Sequence, residues 1–282
     1  MRIVITGANG QLGHELQAVL SEDHLTLLDL PVFDVTKSGT ERQIIDARPD
    51  LVIHAAAYTN VDGAEGESER AVAVNVEGTA RVARAAARVG ARLFYLSTDY
   101  VFGGSKRTPY LESDEPHALN VYGRSKLEGE KQAQQLCPNT LVIRTAWLYG
   151  AHGKNFVKTM MNLAVSQPEL RVVDDQRGSP THAGHLARAI KAMLGTELKG
   201  FVHATGSGDC TWHEFASAIV SLLGSPARVV PVTTAAMAQP ASRPAYSVLA
   251  NTILAGQGIR LPHWKDALAQ FLKQVKVEVE AK

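Results

Sequence analysis

Five short runs of aliphatic and β-branched residues mark the first half of the chain: RIVIT (2–6), HLTLLDL (24–30), DLVIHAA (50–56), RLFYLS (92–97) and TLVIRTA (140–146). None alternates cleanly between apolar and polar positions, which is the pattern of parallel strands covered on both faces. Helical patterns lie between them. GQLGHELQAVL opens the first, and ERAVAVNVEGTARVARAAARVG predicts one long Ala-rich helix closed by Gly90. Strand–helix alternation of this kind predicts an α/β fold with a doubly wound parallel sheet and right-handed crossovers. After about residue 147 the rhythm loosens. Residues 170–181 and 227–233 read as strand and loop, residues 183–194, 211–223 and 264–277 as helices, and prolines stand at 226, 231, 240, 244 and 262. The expectation is a first domain over 1–147 and a smaller lobe over 148–282, with a soft boundary that segments cross back over.

Composition narrows the function classes. A formal net charge of +1 without a long Lys/Arg run offers no footprint for nucleic acid or a membrane surface. Only Cys137 and Cys210 are present, so no disulfide framework is expected, and a reducing compartment suits the chain. The five-residue apolar stretch of MRIVITG is shorter than a signal-peptide core or a membrane span, and predicts a buried strand in a cytoplasmic protein.

The first strand runs into VITGANGQLGHEL, with Gly7, Gly10 and Gly13 spaced by three at the mouth of a helix. A dinucleotide pyrophosphate needs a tight turn, a position without Cβ for close approach, and free N–H groups at a helix start. These glycines, with Gln11 and Leu12 between them, supply such a set, so residues 1–147 are expected to form a Rossmann-type NAD(P)-binding domain. The second strand ends at Asp29, which either accepts from the adenosine ribose hydroxyls or is an exposed strand-end carboxylate. Asp34 and Val35 are expected to flank the adenine. The third strand runs into HAAAYT, whose small residues let a cofactor lie against the backbone near Ala57, Tyr58 and Thr59.

VYGRSKLEGE places Tyr122 and Lys126 four apart, one turn apart on a shared helix face. Alone the pair is common and reads as a surface contact. After a glycine turn and a polar strand end it gains chemical sense. Hydride transfer to a ketone builds an alkoxide that needs a proton, and a Tyr phenol of ordinary pKa about 10 gives one slowly near neutrality. A neighbouring ammonium and an oxidised nicotinamide are expected to lower that value. Lys126 also has donors for the nicotinamide ribose. YLSTDYVFGG, at 95–104, ends the fourth strand in Thr98, a hydroxyl delivered where open α/β sheets bind ligands.

With GANGQLGHEL, PDLVIHAAAYTNVDGAE, STDYVFGG, VYGRSKLEGE, VIRTAWLYG, VVDDQRGSPT and SRPAYS on one chain, the sequence resembles the dTDP-4-dehydrorhamnose reductase family of extended short-chain dehydrogenase/reductases nearly end to end. The resemblance implies NADH- or NADPH-dependent reduction of the C4 ketone of dTDP-4-dehydro-6-deoxy-L-mannose to dTDP-L-rhamnose. It implies Tyr122 as proton donor, Lys126 as its aid, and Thr98 as the group orienting the ketone. Asp99, Tyr100 and Trp147 are implied as sugar contacts, and residues 148–282 as the main substrate-binding lobe. Related 4,6-dehydratases carry Thr-Asp-Glu at this strand end, because water elimination needs a further carboxyl; Tyr100 occupies that position here.

The chain departs from the family where His54 replaces a common Asn. Some members bind Mg²⁺ at a dimer interface. Glu15 matches one ligand position, but THAGHLARA has no Glu at another, so no metal is expected. A homodimer is compatible with the resemblance, and the sequence leaves assembly open. For the substrate diphosphate, Arg243 in SRP is the choice, as a guanidinium binds phosphate oxygens bidentately; the competing reading is an Arg steadying a Pro-rich loop, and Arg177 is a weaker candidate. Two rival functions stand beside the reductase: a regulator of the methionine adenosyltransferase regulatory-subunit type, against which the intact Thr98, Tyr122 and Lys126 argue, and a sister reductase of another nucleotide-linked 4-keto-deoxysugar.

Overall fold

The computed structural model describes residues 1–280. The apolar runs become strands β1 (Arg2–Thr6), β2 (His24–Leu28), β3 (Leu51–His54), β4 (Arg92–Thr98) and β5 (Thr140–Thr145). Seven more follow: β6 (Leu148–Tyr149), β7 (Glu169–Val173), β8 (Arg177–Gly178), β9 (Thr181–His182), β10 (Gly200–His203), β11 (Cys210–Thr211) and β12 (Arg228–Val232). The main sheet runs β2-β1-β3-β4-β5-β10, every neighbouring pair parallel. Successive side chains leave a strand on opposite faces, so Ile3 and Ile5 pack on one side with Leu16 and Ile190, while Val4 packs on the other with Val82 and Ala86. That double burial is why the runs do not alternate. The chain steps from β1 to β2 on one side and then to β3 on the other, and this reversal opens a crevice at the carboxyl ends of β1 and β3.

The sixth strand, β10, escapes the sequence pattern because it holds four residues, GFVH, with a glycine and a histidine among them. The helix Ala183–Met193 lends Leu186, Ile190 and Met193 to the core of the main sheet, and the short helix Thr252–Gly256 adds Leu254. A second core lies among helices Phe156–Ser166, Trp212–Leu223 and Trp264–Glu280, with the parallel pair β7–β12 beside them. Small parallel and antiparallel pairs, β6–β9 and β8–β11, join the two bodies.

The long Ala-rich helix is not continuous. It runs as α-helix over Ser68–Val72, widens to a π-helix over Ala73–Gly78, and resumes as α-helix over Thr79–Arg88. The wide turn carries Asn75, whose amide accepts from the Tyr58 N–H at 2.8 Å and donates to the Tyr58 carbonyl at 3.1 Å and to Ser125 Oγ at 2.9 Å. A π turn costs regular geometry and is typically kept where a side chain must reach. Here it fixes the backbone beyond β3 to the helix that bears Tyr122.

Candidate active site

The helix Val121–Leu136 starts where it does because Asn120 Oδ1 accepts from the Gly123 N–H at 2.7 Å, a cap of the kind that contributes about 1 kcal/mol. Two glycines let it lie against the strand end. A Cβ on Gly123 would stand 2.2 Å from the Tyr100 carbonyl oxygen, and one on Gly129 would stand 2.4 Å from both the Asn75 carbonyl and the Tyr95 hydroxyl. Tyr122 and Lys126 are thereby pressed onto the carboxyl end of β4.

There the polar residues of the strand end divide by face. Thr98 faces Tyr122, close enough for its hydroxyl to act on the phenol. Thr98 Oγ1 also donates to Asp99 Oδ1 at 3.1 Å and accepts the Tyr100 N–H at 3.2 Å. Tyr100 meets Tyr122 edge to face, with ring centroids 6.0 Å apart. Ser97 points the other way and donates to Glu130 Oε1 at 2.5 Å. Glu130 in turn takes two hydrogen bonds from Arg144, at 2.9 and 2.7 Å, and both side chains are almost wholly buried. Lys126 Nζ lies 4.1 Å from the Tyr95 ring centroid and donates to the Leu96 carbonyl at 2.6 Å.

Electrostatics depart from the sequence expectation. Burial raises the Tyr122 phenol to about 12, against the opposing pull of the nearby Thr98 hydroxyl. Burial also lowers the Lys126 ammonium to about 7, with Glu130 pulling it back up. In the protein alone, desolvation therefore outweighs the expected lowering of the phenol by Lys126. A raised phenol keeps its proton at neutral pH, which suits a proton donor.

At the switch point, Gly7 has φ +73° and a Cβ there would lie 2.6 Å from the Ala56 nitrogen; on Gly13 it would lie 2.4 Å from the Gly7 and Ala8 carbonyls. The helix Gln11–Val19 that follows has Gly10 at its N-cap and no side-chain cap. These features fit a dinucleotide: a cradle closed to any side chain, and N–H groups at a helix start for the pyrophosphate. Leu12 is buried in the core, so only its N–H is available, and the Gln11 side chain accepts from Asn155 at 2.8 Å. Asp29 takes the N–H of Asn9 and that of Leu30, both at 2.7 Å, one on each carboxylate oxygen, which aims it beside the glycine turn. Asp34 caps its own turn through the N–H and hydroxyl of Thr36, bonds that hold its carboxyl below the usual range. Val35 is buried against Gly78. Ala57, Tyr58 and Thr59 follow β3, with Tyr58 clamped by Asn75.

Three candidates for substrate contact are already engaged. Trp147 holds a left-handed φ of +47° and stacks on Trp212 at 3.5 Å, over Gly178, where a Cβ would lie 2.5 Å from the indole. Arg243 makes a bidentate pair with Asp62, at 3.0 and 2.8 Å, donates to the Ala241 carbonyl at 3.0 Å, and lies beside Tyr100. Arg177 pairs with Asp209 at 2.6 Å and Glu214 at 3.2 Å. His54 lies wholly buried between Thr6 and Thr79, its Nδ1 2.6 Å and Nε2 3.1 Å from their hydroxyls. Burial lowers its pKa to about 3, so it stays neutral.

A family model described as the RmlD substrate binding domain matches residues 1–277. The chain belongs to that family. It is 40% identical to a dTDP-4-dehydrorhamnose reductase of Sinorhizobium fredii, over 99% of this chain and 99% of that protein. The crystal structure of a dTDP-4-dehydrorhamnose reductase from Bacillus anthracis in complex with NADP matches with a TM-score of 0.94 at 40% identity, covering 97% of this chain and 99% of that one. A probable dTDP-4,6-dihydroxy-2-methyloxan-3-one 4-ketoreductase of Streptomyces antibioticus is 41% identical over 98% of this chain and 96% of that protein. In this member of the RmlD family, the residues that sequence reasoning missed are Asn75, Glu130, Arg144, Asp62 and Ser247. A lone Asn in an Ala/Val run was the available signal for Asn75. The others show nothing locally, since their partners lie far away along the chain. No helix among the described residues is long and apolar enough to cross a membrane.

Proposed function

We propose that this chain is an NAD(P)H-dependent dTDP-4-dehydrorhamnose reductase, reducing the C4 ketone of dTDP-4-dehydro-6-deoxy-L-mannose to dTDP-L-rhamnose. The observation that carries the reading is the Thr98–Tyr122 hydroxyl pair at the carboxyl end of β4, one helical turn from Lys126 and beside Tyr100 rather than a second carboxyl. Gly7, Gly10 and Gly13 with the N–H groups at the start of Gln11–Val19 would hold the dinucleotide, Asp29 its adenosine ribose, and Ala57–Thr59 its inner edge. That cofactor, when bound, supplies the hydride. Thr98 orients the keto oxygen and Tyr122 gives it a proton. Lys126 steadies the resulting phenolate, because a cation beside a buried anion lowers its cost. Asp99, Tyr100 and Trp147 border the sugar. The reductase names of the relatives do not favour the regulator reading.

The Streptomyces antibioticus relative, whose printed name gives a different sugar ketone, supports a sister-reductase reading at similar identity. Oxidation of NADH or NADPH with dTDP-4-dehydrorhamnose, followed by NMR of the product, separates the two; no turnover, or a product epimeric at C4, overturns the proposal. The same assay tests Asp29. NADH should be used at least comparably to NADPH, because a carboxylate at the ribose repels a 2′-phosphate. A preference for NADPH above about a hundredfold, near 2.7 kcal/mol, would remove Asp29 from that role.

Arg243 is proposed to take the substrate diphosphate through donors left beside Asp62. Arg243→Ala should then weaken dTDP binding by roughly 2–5 kcal/mol and leave NADH binding unchanged. Calorimetry showing wild-type dTDP affinity would make Arg243 only the partner of Asp62. A cytoplasmic location fits two cysteines that are free and buried. A homodimer, proposed from the resemblance, is tested by light scattering.

A further inference from the structure

Asp99 is 2% exposed and has two hydroxyl partners. Ser247 Oγ donates to its Oδ2 at 2.5 Å, from a segment 148 residues along the chain. Thr98 Oγ1 donates to its Oδ1 at 3.1 Å. Ser247 is itself 2% exposed and is held in place by its N–H, which donates to the Arg177 carbonyl at 2.8 Å. Thr98, Asp99 and Ser247 thus make one buried line, with the half-buried Tyr122 beside Thr98.

A threonine hydroxyl has one proton to donate. In the line as it stands that proton goes to Asp99, while Thr98 accepts the Tyr100 N–H. Thr98 cannot at once donate to a keto oxygen. A neutral Asp99 reverses the arrangement, because its carboxyl O–H donates to Thr98 Oγ1 and leaves the threonine proton free.

We propose that Asp99, seated by Ser247, is a positioning acid for ketone reduction: neutral, it turns the Thr98 proton toward the substrate ketone, and ionised, it holds that proton back. The inference rests on the reductase reading. Asp99 consumes no proton in this role; the alkoxide takes its proton from Tyr122. Burial raises the Asp99 carboxyl to about 6, while the bonds from Ser247 and Thr98 pull it down. The other groups facing it are Tyr122 and Tyr100, both held further toward the neutral phenol by the Asp99 charge. Arg243 acts on Tyr100 from beyond, and is itself neutralised by Asp62. Lys126, on the helix opposite, directs its ammonium to the Leu96 carbonyl.

The sign follows from the chemistry. The competent form is neutral, so kcat/KM for reduction should fall as pH rises through the Asp99 transition. Ser247→Ala removes a hydrogen bond that favours the carboxylate, and should move that break upward by about one pH unit, the lower range for a bond to a charged group. Ser247→Thr, which keeps the hydroxyl, should return it. Asp99→Asn should abolish this break, since its amide donates to Thr98 at every pH, and leave only the limb set by Lys126. The measurement is kcat/KM for dTDP-4-dehydrorhamnose at saturating NADH between pH 5 and 8.5. An unmoved break in Ser247→Ala, or a persisting one in Asp99→Asn, overturns the inference while turnover upholds the reductase reading. A slower or less stable Ser247→Ala with an unmoved break shows a purely structural serine. A wild type that turns over no 4-keto sugar overturns both.

Discussion

Tyr122→Phe is expected to lower kcat for ketone reduction by at least about a hundredfold, the low end for general-acid catalysis, with cofactor affinity little changed. The phenol is the proposed donor, set at the carboxyl end of β4. It lies beside Thr98, and burial holds it at about 12, so it carries its proton throughout the neutral range. Removing the oxygen leaves the ring and its edge-to-face contact with Tyr100, whose centroid is 6.0 Å away. The change therefore tests chemistry more than packing. Loss should appear in kcat and kcat/KM together, because the donated proton matters only as the alkoxide forms. Steady-state kinetics with near-normal kcat would take Tyr122 out of the mechanism, and would revive a non-catalytic role for the fold.

Glu130→Ala should destabilise the protein by about 3–5 kcal/mol, the range for removing one partner of a buried ion pair. Arg144 would keep its charge at 1% exposure, with its acceptor gone and the rings of Phe201 and Phe102 4.4 and 5.0 Å away. Ser97 would lose its acceptor as well. For a chain of this size, at about 2.1 cal/mol/K of unfolding entropy per residue, the loss corresponds to a fall in Tm of roughly 5–8 °C. Replacing Glu130 and Arg144 together by Met should cost much less, since desolvating the pair offsets much of its attraction. Thermal unfolding of the single and double variants distinguishes the cases, and a Glu130→Ala protein as stable as wild type would show that the pair does not hold β5 to the Tyr122 helix. Activity should drop too, because Glu130 supports the Lys126 ammonium.

These two residues mark how differently parts of the site could be read. Tyr122 and Lys126 sit four apart on one helix, and Gly7, Gly10 and Gly13 lie on one turn, so local geometry is enough to bring each set together. Glu130 is also on the Tyr122 helix, yet nothing near it foretells a buried carboxylate. Its partner is Arg144, on β5, and their meeting depends on β5 pairing with β4. Arg243 was legible as a candidate for binding a diphosphate. That it is forked onto Asp62, 181 residues away, was not.

The strand order had the same limit. Five of the six main-sheet strands announce themselves by dense apolar runs, four of them because both faces are buried. β10 does not, since four residues at the sheet edge beyond β5 need little apolar density. The long Ala-rich pattern correctly marks helix, but the π turn at Asn75 appears only when Tyr58 and Ser125 are in place to bind its amide.

The sequence by itself determined what short-range physics carries: the strand–helix alternation, the glycine cradle, the Tyr122–Lys126 face and the hydroxyl at the end of β4. Only the tertiary structure decided which charges are buried, which donors are spent, and which way pKa values move. Those depend on desolvation and on partners tens to hundreds of residues distant, and burial proved the larger effect at both Tyr122 and Lys126.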